Sequence, residues 1–282
     1  MTVLLTGGSG FIGSYIKKAL LNLGYSLKTP SSNEANFSTP LSIEDWLPLL
    51  EGIDTVINTV GIISESNTQH FKEIHSDTPI ALFQACTQSK VKRIIQISAL
   101  GADSRAFTPY QLSKLAADNV LRKLPISWFI LRPSLVYGKG GASLALFKRL
   151  AKLPIIPLPD AGKQKIQPIY IDDLVATVIQ CLHATNNQQT IDVVGPKAIS
   201  LADYLQAIRT AQNKPKAIIV NIPSTFLLPL SNLGKQLFPL MHPDNLRMLQ
   251  QGNTADVKPL VHFLGRKPLD INTAMLKMEN VK

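Results

Sequence analysis

Residues 1–13 read MTVLLTGGSGFIG, and this stretch decides the fold. Residues 3–5 form a short, continuous apolar run, as in a strand that is buried on both faces of a parallel sheet. A glycine-rich turn follows, and from residue 11 to residue 23 apolar side chains recur at helical spacing. Such a strand, turn and helix place backbone N–H groups and the positive end of a helix dipole at one point, which suits a pyrophosphate.

Each glycine of the turn has its own predicted role. Gly7 takes a backbone angle that other residues resist, Gly10 lets the backbone approach a ligand, and Gly13 lets the helix pack on the strand. The flanking strand and helix make this pattern more specific than the glycines alone. We therefore predict a dinucleotide site in which the following residues contact the cofactor: Gly7, Gly10, Phe11, Ile12 and Gly13.

The stretch after the second predicted strand, residues 24–28, indicates which dinucleotide binds. Proteins with this pattern usually place an acidic residue about 20 residues beyond the glycines, where it binds the adenosine ribose hydroxyls. Here Ser31 and Ser32 take that place, and Glu34 comes too late. Because no acid would repel a 2′-phosphate, and Lys28 and the serines would tolerate one, the sequence favours NADP over NAD.

The next buried strand is predicted over residues 54–61, DTVINTVG, and it again ends in a glycine. The carboxyl ends of parallel strands line the cofactor crevice. Asn58, Val60 and Gly61 are therefore predicted to contact the ribose or the nicotinamide, and a purely structural turn is the alternative.

A proton-transfer site is predicted after the strand at residues 93–97. This strand ends in Ser98, and twelve residues later Tyr110 and Lys114 lie one turn apart on a predicted helix. An ammonium beside a phenol would lower the pKa of the tyrosine from its usual value of about 10. Tyr110 could then exchange a proton with a carbonyl or hydroxyl group while a nicotinamide exchanges a hydride. A surface helix with a partly buried tyrosine is the alternative.

Five segments in this order resemble the short-chain dehydrogenase/reductase superfamily: TGGSGFIG, DTVINTVGI, IQISALGAD, PYQLSK and WFILRPSLVYG. They are most similar to its extended or atypical branch, the NAD-dependent epimerase/dehydratase-like proteins, and to the subgroup around the 39-kDa accessory subunit of respiratory complex I. The resemblance covers roughly residues 1–180. It implies a parallel sheet, a bound dinucleotide, Tyr110 as acid/base and Lys114 as the ribose ligand. It also implies a nicotinamide bordered by Pro133, Ser134 and Val136.

Two positions depart from the pattern of these relatives. Many of them carry two successive Ser/Thr residues after the strand that corresponds to residues 93–97, and the second one bonds the substrate oxygen. Aligning on the strand puts Ala99 at that place and Ser98 one position early, so Ser98 polarises the substrate only if a turn redirects it. His75 stands where many relatives have Asn; a structural histidine is favoured over a hydrogen-bonding role behind the site.

Composition limits the remaining function classes. The chain has 282 residues, 45% hydrophobic and 17% charged, as in an ordinary globular protein. No apolar run is long enough to span a bilayer and no basic leader precedes the first strand, so we expect a cytoplasmic protein. The formal charge of +10 favours anionic small ligands, but the basic residues are scattered, so no nucleic-acid partner is expected. Cys86 and Cys181 are predicted to be reduced core residues.

The predicted architecture is a Rossmann-type, doubly wound parallel α/β sheet with a smaller C-terminal α/β lobe. We expect the dinucleotide-binding domain at 1–185, with crossover segments to the lobe, and the substrate-binding lobe at 186–282. Residues 217–246 are rich in Leu, Ile, Phe and Pro. A helical substrate domain is the favoured interpretation. An apolar substrate channel, or a peripheral membrane contact flanked by Lys235 and Arg247, is the alternative.

Two functions are compatible with these residues. The preferred one is an NADP-dependent oxidoreductase, with NAD as the alternative cofactor, acting on a small and apolar carbonyl or hydroxyl compound. Tyr110 would exchange the proton, Lys114 would lower the pKa of Tyr110, and Ser98 would polarise the carbonyl. The alternative is a dinucleotide-binding accessory or sensor protein without turnover, linked to a membrane or quinone-dependent complex. Ala99 favours this alternative, whereas the retention of Tyr110 and Lys114 favours the enzyme.

Overall fold

The computed structural model describes residues 1–31, 33–222, 244, 247–248 and 251–280. The strands of these residues are β1 (Thr2–Thr6), β2 (Ser26–Lys28), β3 (Thr55–Asn58), β4 (Arg93–Ile97), β5 (Ser127–Pro133), β6 (Val136–Tyr137), β7 (Ile155–Pro159), β8 (Lys165–Ile166), β9 (Ile169–Tyr170), β10 (Gln189–Val193), β11 (Ile199–Ser200) and β12 (Ile218–Ile222). Ser32, Lys235 and most of the segment 217–246, which entered the sequence predictions, lie outside the described residues.

The helices alternate with these strands along the chain. They are α1 (Phe11–Asn22), α2 (Ile43–Trp46), α3 (Thr78–Thr87), α4 (Pro109–Leu121), α5 (Ala142–Leu150), α6 (Ile171–His183), α7 (Leu201–Ala211), α8 (Lys258–Leu264) and α9 (Ile271–Asn280). Short 3₁₀ segments occur at Leu47–Leu50 and Asp160–Gly162, and a π-helix, Lys72–Asp77, runs directly into α3. No helix in the described ranges is long and apolar enough to cross a membrane.

Six strands form one sheet in the order β10-β5-β4-β3-β1-β2. β1 pairs in parallel with both β2 and β3, and β3, β4 and β5 continue the parallel pairing. The central residues of β1, β3, β4 and β5 are fully buried because helices cover parallel sheets on both faces, which explains the continuous apolar runs. The strand order reverses at β1, and ligands of such sheets bind at the carboxyl ends of the strands beside this reversal. The predicted Rossmann-type fold is confirmed.

The chain divides into two compact units. The first comprises Met1–Pro133 and Leu174–Asp192, and the second comprises Ser134–Asp173 and the described part of Val193–Lys282. The boundary predicted between residues 185 and 186 differs from this division, because residues 134–173 group with the second unit and residues 186–192 with the first. The first unit holds the six-stranded sheet, apart from the last residue of β10. It also holds both cysteines, Cys86 and Cys181, which are free and fully buried.

The second unit contains three small strand pairs. β6 pairs with β9 and β7 with β12, both in parallel, while β8 pairs with β11 in antiparallel orientation. Asp173 accepts a hydrogen bond from Leu269 N (2.8 Å) and forms an ion pair with Arg266 (2.6 Å). Asp172 accepts one from Lys277 Nζ (2.6 Å). Both aspartates thus tie the start of α6 to the C-terminal segment of this unit.

Candidate functional site

The glycine turn after β1 has the close backbone contacts that its sequence predicts. Gly7 has φ +73°, and a Cβ atom there would lie 2.7 Å from Thr59 Oγ1. A Cβ atom on Gly13 would lie 2.1 Å from Gly7 O, closer than any side chain permits. Gly10 N donates to Gly7 O at 3.0 Å and closes the turn. Side chains at positions 7 and 13 would therefore disrupt the turn.

Helix α1 presents an N-terminus that suits an anion. Gly10 is its N-cap, no side chain caps it by a hydrogen bond, and no acidic residue lies in its first turn. An uncapped helix start leaves backbone N–H groups and the positive end of the dipole for a negatively charged ligand. The residues present here fit the pyrophosphate of a dinucleotide.

A cavity of about 370 Å³ lies beside this turn in the first unit. Its lining includes Gly7, Ser31, Val60 and Gly61 among the residues predicted from sequence. Gly10, Phe11, Ile12 and Gly13 are not part of the lining. The remaining residues around the cavity were not predicted: Thr6, Gly8, Ser9, Lys17, Thr29, Pro30, Ala35, Asn36, Phe37, Ser38, Ile62, Gln69 and Ile74.

The acid that the sequence placed too late lies next to the cavity after all. Glu34 accepts two hydrogen bonds from Ser31, one from the backbone N and one from Oγ, both at 2.8 Å. These bonds hold the pKa of the Glu34 carboxyl below its usual value, so it is ionised at neutral pH. Lys28 donates to Leu49 O at 3.0 Å. The side chains expected to tolerate a 2′-phosphate, Lys28 and Ser31, are thus both engaged elsewhere.

Asn58 is placed in the sheet and not in the cavity. Its side chain is fully buried, its Oδ1 accepts from Thr6 Oγ1 (2.6 Å) and Val60 N (3.2 Å), and its Nδ2 donates to Gln96 Oε1 (2.8 Å). These bonds link the neighbouring strands β1, β3 and β4. The structure supports the alternative interpretation for Asn58, a residue that shapes the strand end.

Helix α4 is started by a capping box that fixes the two predicted proton-transfer residues. Thr108 Oγ1 accepts from Gln111 N (3.3 Å), Gln111 Oε1 accepts from Thr108 N (3.4 Å), and Pro109 occupies the first turn. Tyr110 therefore lies at the first turn of the helix, and Lys114 lies one turn later, on the same face.

Lys114 carries its amine to the carboxyl ends of two parallel strands. Its Nζ donates to Val60 O (3.1 Å) and to Ile97 O (3.3 Å), and the residue is 4% exposed. Burial lowers the pKa of Lys114 to about 8, and the charge of Asp118 opposes this shift. Since Val60 and Gly61 line the cavity, the amine reaches the backbone of the cavity wall.

Tyr110 packs against two aromatic rings. The centroid of its ring lies 5.8 Å from that of Phe71 and 5.4 Å from that of His75, in edge-to-face arrangements. Burial raises the pKa of Tyr110 to about 12. The sequence predicted the opposite direction. The reason is that the Lys114 amine bonds to backbone carbonyls, while the phenol lies in apolar surroundings that disfavour its anion.

His75 holds the end of β3 and the start of α4. Its Nε2 accepts from Ile62 N (3.0 Å), which requires an unprotonated nitrogen, so Nδ1 carries the proton and donates to Ser113 Oγ (3.0 Å). Ser113 Oγ in turn donates to Tyr110 O (2.9 Å). Burial and the charge of Lys114 lower the pKa of His75 to about 2, so it stays neutral. The hydrogen-bonding role, which was the less favoured one, describes this residue.

The Ser98 side chain faces a buried carboxyl group. Its hydroxyl donates to Asp118 Oδ2 at 2.5 Å, and both side chains are buried. Burial raises the pKa of Asp118 to about 6, against the effect of the Ser98 hydrogen bond. A turn follows at residues 100–101, but the Ser98 hydroxyl is bonded to this buried carboxyl group. Sequence analysis missed Asp118, although its position one turn beyond Lys114 places it on the same helical face.

The remaining predicted residues follow β5. Pro133 is its last residue, and Pro133 O accepts from Leu100 N at 2.9 Å. Ser134 and Val136 belong to the second unit, where Ser134 Oγ donates to Gln167 O at 2.5 Å and Val136 begins β6. A nicotinamide contact for these three residues stays a prediction.

Known proteins resemble the chain at low identity. The mitochondrial NADH-ubiquinone oxidoreductase 40 kDa subunit of Neurospora crassa is 23% identical over 290 residues, which cover 96% of this chain and 76% of that protein. A ceramide reductase of Caulobacter vibrioides is 24% identical over 193 residues, covering 63% of this chain and 59% of its own length, less than two thirds of that enzyme.

The fold is shared with solved structures. The crystal structure of UDP-glucuronic acid 4-epimerase from Bacillus cereus, in complex with UDP-glucuronic acid and NAD, has a TM-score of 0.72 at 19% identity and covers 99% of this chain and 98% of its own. The family model described as NAD dependent epimerase/dehydratase family matches residues 3–195, more than half of the sequence. The chain belongs to the NAD-dependent epimerase/dehydratase family.

Proposed function

We propose that the protein is an NAD-dependent oxidoreductase that interconverts a carbonyl and a hydroxyl group on a small, apolar substrate. One observation carries this proposal: the buried Lys114 amine bonds to Val60 O, and Val60 lines the cavity beside the glycine turn. The same helix presents the Tyr110 phenol one turn earlier. A cationic amine, a phenol, a cavity beside the glycine turn and an uncapped helix start therefore belong to one unit.

The chain's residues would bind the cofactor at both ends of this site. The N–H groups at the start of α1 would bind the pyrophosphate, and Lys114 would donate to the ribose hydroxyls. When bound, the dinucleotide supplies or accepts the hydride. The contacts of His75 with Ile62 and Ser113 hold the cavity wall and the start of α4 in place, so Lys114 and Tyr110 are positioned before any ligand arrives.

The protonation state of Tyr110 favours the direction of reduction. With a pKa of about 12 the phenol is protonated at neutral pH and is ready to donate. As a hydride reaches the carbonyl carbon, the carbonyl oxygen takes the Tyr110 proton and becomes a hydroxyl. The phenolate left behind then regains its proton from solvent. The reverse reaction uses the same groups with the proton moving to Tyr110.

NAD is the proposed cofactor, in place of the NADP favoured by the sequence alone. That expectation depended on the lack of an acid beside the adenosine ribose. The Glu34 carboxylate is hydrogen-bonded to Ser31, which lines the cavity, so a 2′-phosphate there would meet a negative charge. Lys17 also lines the cavity and is the cation that would favour NADP.

A second candidate function is dinucleotide binding without turnover. The specific observation in its favour is that Ser98 donates its hydroxyl to Asp118 and that residue 99 is alanine, so neither polarises a substrate carbonyl. A relative that is named as an oxidoreductase subunit agrees with an accessory role.

Hydride exchange decides between the two functions. The purified protein is incubated with NADH or NADPH and a panel of aldehydes, ketones and quinones, and oxidation of the cofactor is followed. Turnover that is lost in Tyr110→Phe and Lys114→Met, but kept in the surface control Tyr25→Phe, supports the enzyme. Tight NADH binding without turnover by any form would establish the accessory function and end the catalytic proposal.

A further inference from the structure

The second unit carries an apolar surface that is open to solvent. β7 and β12 pair in parallel, with Ile155 opposite Ile218 and Pro157 opposite Val220. When one face of a small sheet packs on a core, the other face is normally polar. Here the outward side chains are apolar: Ile155 is 53% exposed, Ile218 is 64% exposed and Val220 is 43% exposed. Contiguous exposed apolar residues of this kind mark an interaction site.

The alternate residues of β7 show that this is a true outer face. Ile156 and Leu158, which point to the opposite side of the strand, are buried. Leu153, just before β7, is 44% exposed and extends the apolar surface toward its lower-numbered end.

Arg209 brings two lysine-bearing loops together at that end. Its guanidinium donates to Ala151 O and Leu153 O, both at 2.6 Å, and to Pro215 O at 2.7 Å. Ile218 N donates to Pro154 O at 2.9 Å. The loops 151–154 and 214–217 are therefore neighbours, and three exposed lysines lie on them: Lys152, Lys214 and Lys216.

Among the described residues, the acid nearest in sequence to β7, Asp160, lies at the other end of the strand pair from these lysines. Asp160 follows β7, and the adjoining Ala161 N donates to Asn221 Oδ1 (3.1 Å), near the end of β12. The exposed Lys163, whose backbone N donates to Asp160 O at 3.1 Å, lies at the same end, and the group of three lysines lies at the start of the two strands.

We propose that this surface, the β7–β12 face (Leu153, Ile155, Pro157, Ile218 and Val220, with the border Lys152, Lys214 and Lys216), docks on an anionic lipid bilayer. Apolar side chains enter the boundary between headgroups and acyl chains, while lysines bind the anionic headgroups. The formal charge of +10 adds long-range attraction to such a surface. This inference is independent of the proposed hydride transfer, which takes place in the first unit.

Vesicle sedimentation of the full chain tests the proposal. We expect binding to phosphatidylcholine vesicles that contain phosphatidylglycerol, weakened by salt, and little binding to phosphatidylcholine alone. Lys214→Gln with Lys216→Gln should weaken binding roughly 30-fold, since each lysine near an anionic surface contributes about fivefold. Ile155→Ser with Ile218→Ser should weaken it about tenfold or more.

Matched controls come from the first unit. Lys90→Gln with Lys123→Gln removes the same charge from other exposed positions, and Leu21→Ser removes an exposed apolar side chain (53% exposed). These variants should bind vesicles as the unchanged protein does. Thermal unfolding followed by circular dichroism verifies that each variant folds, and if the isoleucine pair does not, the lysine pair alone decides.

Three results would overturn the proposal. They are absence of binding to anionic vesicles, equal loss in the control variants, and a dimer by light scattering that Ile155→Ser with Ile218→Ser dissociates. The last result would assign the β7–β12 face to a second copy of the chain.

Discussion

The Ser98 hydroxyl donates to Asp118 Oδ2 at 2.5 Å, and both side chains are buried between β4 and α4. The contact joins the end of a strand to the helix that carries Lys114 one turn earlier. A serine that sequence comparison would assign to the substrate is instead a structural partner of a buried carboxyl group. Position 99, an alanine, provides no hydroxyl to replace it.

Ser98→Ala should therefore reduce stability more than catalysis. Removing the hydroxyl leaves the Asp118 carboxyl buried without this donor, which costs about 1–3 kcal/mol of the free energy of unfolding. Urea denaturation measures this loss of stability. The kcat of the same variant should change by less than about threefold. A large fall in kcat with unchanged stability would return Ser98 to the catalytic site.

Asp118 should make stability depend on pH in an unusual direction. Its carboxyl has a pKa of about 6 in the folded protein against an ordinary value of 3.8, so between these two values the folded state binds more protons than the unfolded state. Its contribution to stability consequently decreases as the pH rises from about 4 to about 6.

Asp118→Asn should remove this decrease, as urea midpoints across the same pH range would show. Asp45 is a control of opposite sign, because hydrogen bonds from Ser42 lower the pKa of its carboxyl. The stabilisation from Asp45 is lost as the pH falls, and Asp45→Asn should flatten the curve in the other direction. Identical pH profiles for Asp118→Asn and the unchanged protein would contradict the buried, raised pKa.

His75→Gln should flatten the acid side of the stability curve. The fold keeps His75 neutral, with a pKa of about 2, while the unfolded chain takes up a proton below the ordinary value of 6.5. Stability contributed by the neutral ring is thus complete above about pH 6.5 and is lost as the pH falls. Urea midpoints at about pH 7 and about pH 5 measure the difference, which should be smaller in the variant.

His75→Gln also separates positioning from packing. Gln can keep the acceptor for Ile62 N, whereas His75→Asn can keep the partner of Ser113 Oγ. If His75 positions Lys114 and Tyr110, both variants lower kcat and Gln preserves cofactor affinity better, since the cavity wall at Ile62 is retained. Equal effects on affinity and kcat, matched by equal losses of stability, would leave only a packing role.

Gly13→Ala should abolish dinucleotide binding. The added Cβ would lie 2.1 Å from Gly7 O, a backbone atom that cannot rotate away, so the turn has to open. Gly24→Ala is the matched control, because Gly24 has φ +78° but nothing lies within 4 Å of a Cβ there. This control should lose about 1 kcal/mol through backbone strain alone and keep its cofactor affinity. Calorimetric titration with NADH gives both affinities, and binding by Gly13→Ala would remove the turn from the site.

Glu34→Gln should shift cofactor preference toward NADPH. The change removes the negative charge beside Ser31 and keeps an oxygen that accepts from the serine. Affinity for NADPH should rise about tenfold relative to NADH, the expected effect of removing one partly solvated charge near a phosphate. Glu44→Gln, a charge removal on exposed α2, is the control. A preference for NADPH in the unchanged protein would contradict the assignment of NAD.

The parts of this molecule that follow from local pattern could be predicted from its sequence. Buried parallel strands need apolar residues on both faces, and a turn that passes within 2.1 Å of a Cβ position needs glycine. For this reason β1, its turn and α1 could be predicted from the sequence. The hydrogen-bond partners of Ser98, Glu34 and Lys28 could not be predicted from the sequence. The bonds of Ser98 to Asp118 and of Lys28 to Leu49 O depend on how separate segments pack, and the Glu34–Ser31 bond depends on the path of a loop. The residue pattern within one helix or strand shows neither.

The electrostatic prediction for Tyr110 was wrong for a related reason. Spacing shows that Lys114 and Tyr110 share a helical face, but the pKa of a phenol depends on what surrounds it. The carbonyl oxygens of Val60 and Ile97 take the hydrogen bonds of the Lys114 amine, and the rings of Phe71 and His75 pack against the ring of Tyr110, which is half-buried. Burial therefore outweighs the charge of Lys114 in setting the pKa of this phenol.

His75, which accepts from Ile62 N, lies in the π-helix Lys72–Asp77. The number of residues in this helix therefore decides which side chain reaches that amide. A widened turn accommodates one additional residue, and in an ordinary α-helix each residue advances the side-chain direction by about 100°. Deleting one residue upstream of His75 within this segment would restore the narrower winding and rotate a neighbour into the imidazole's position. Homologous helices that differ in length by a single residue would consequently place a different side chain at the Ile62 amide, even if all flanking residues were identical.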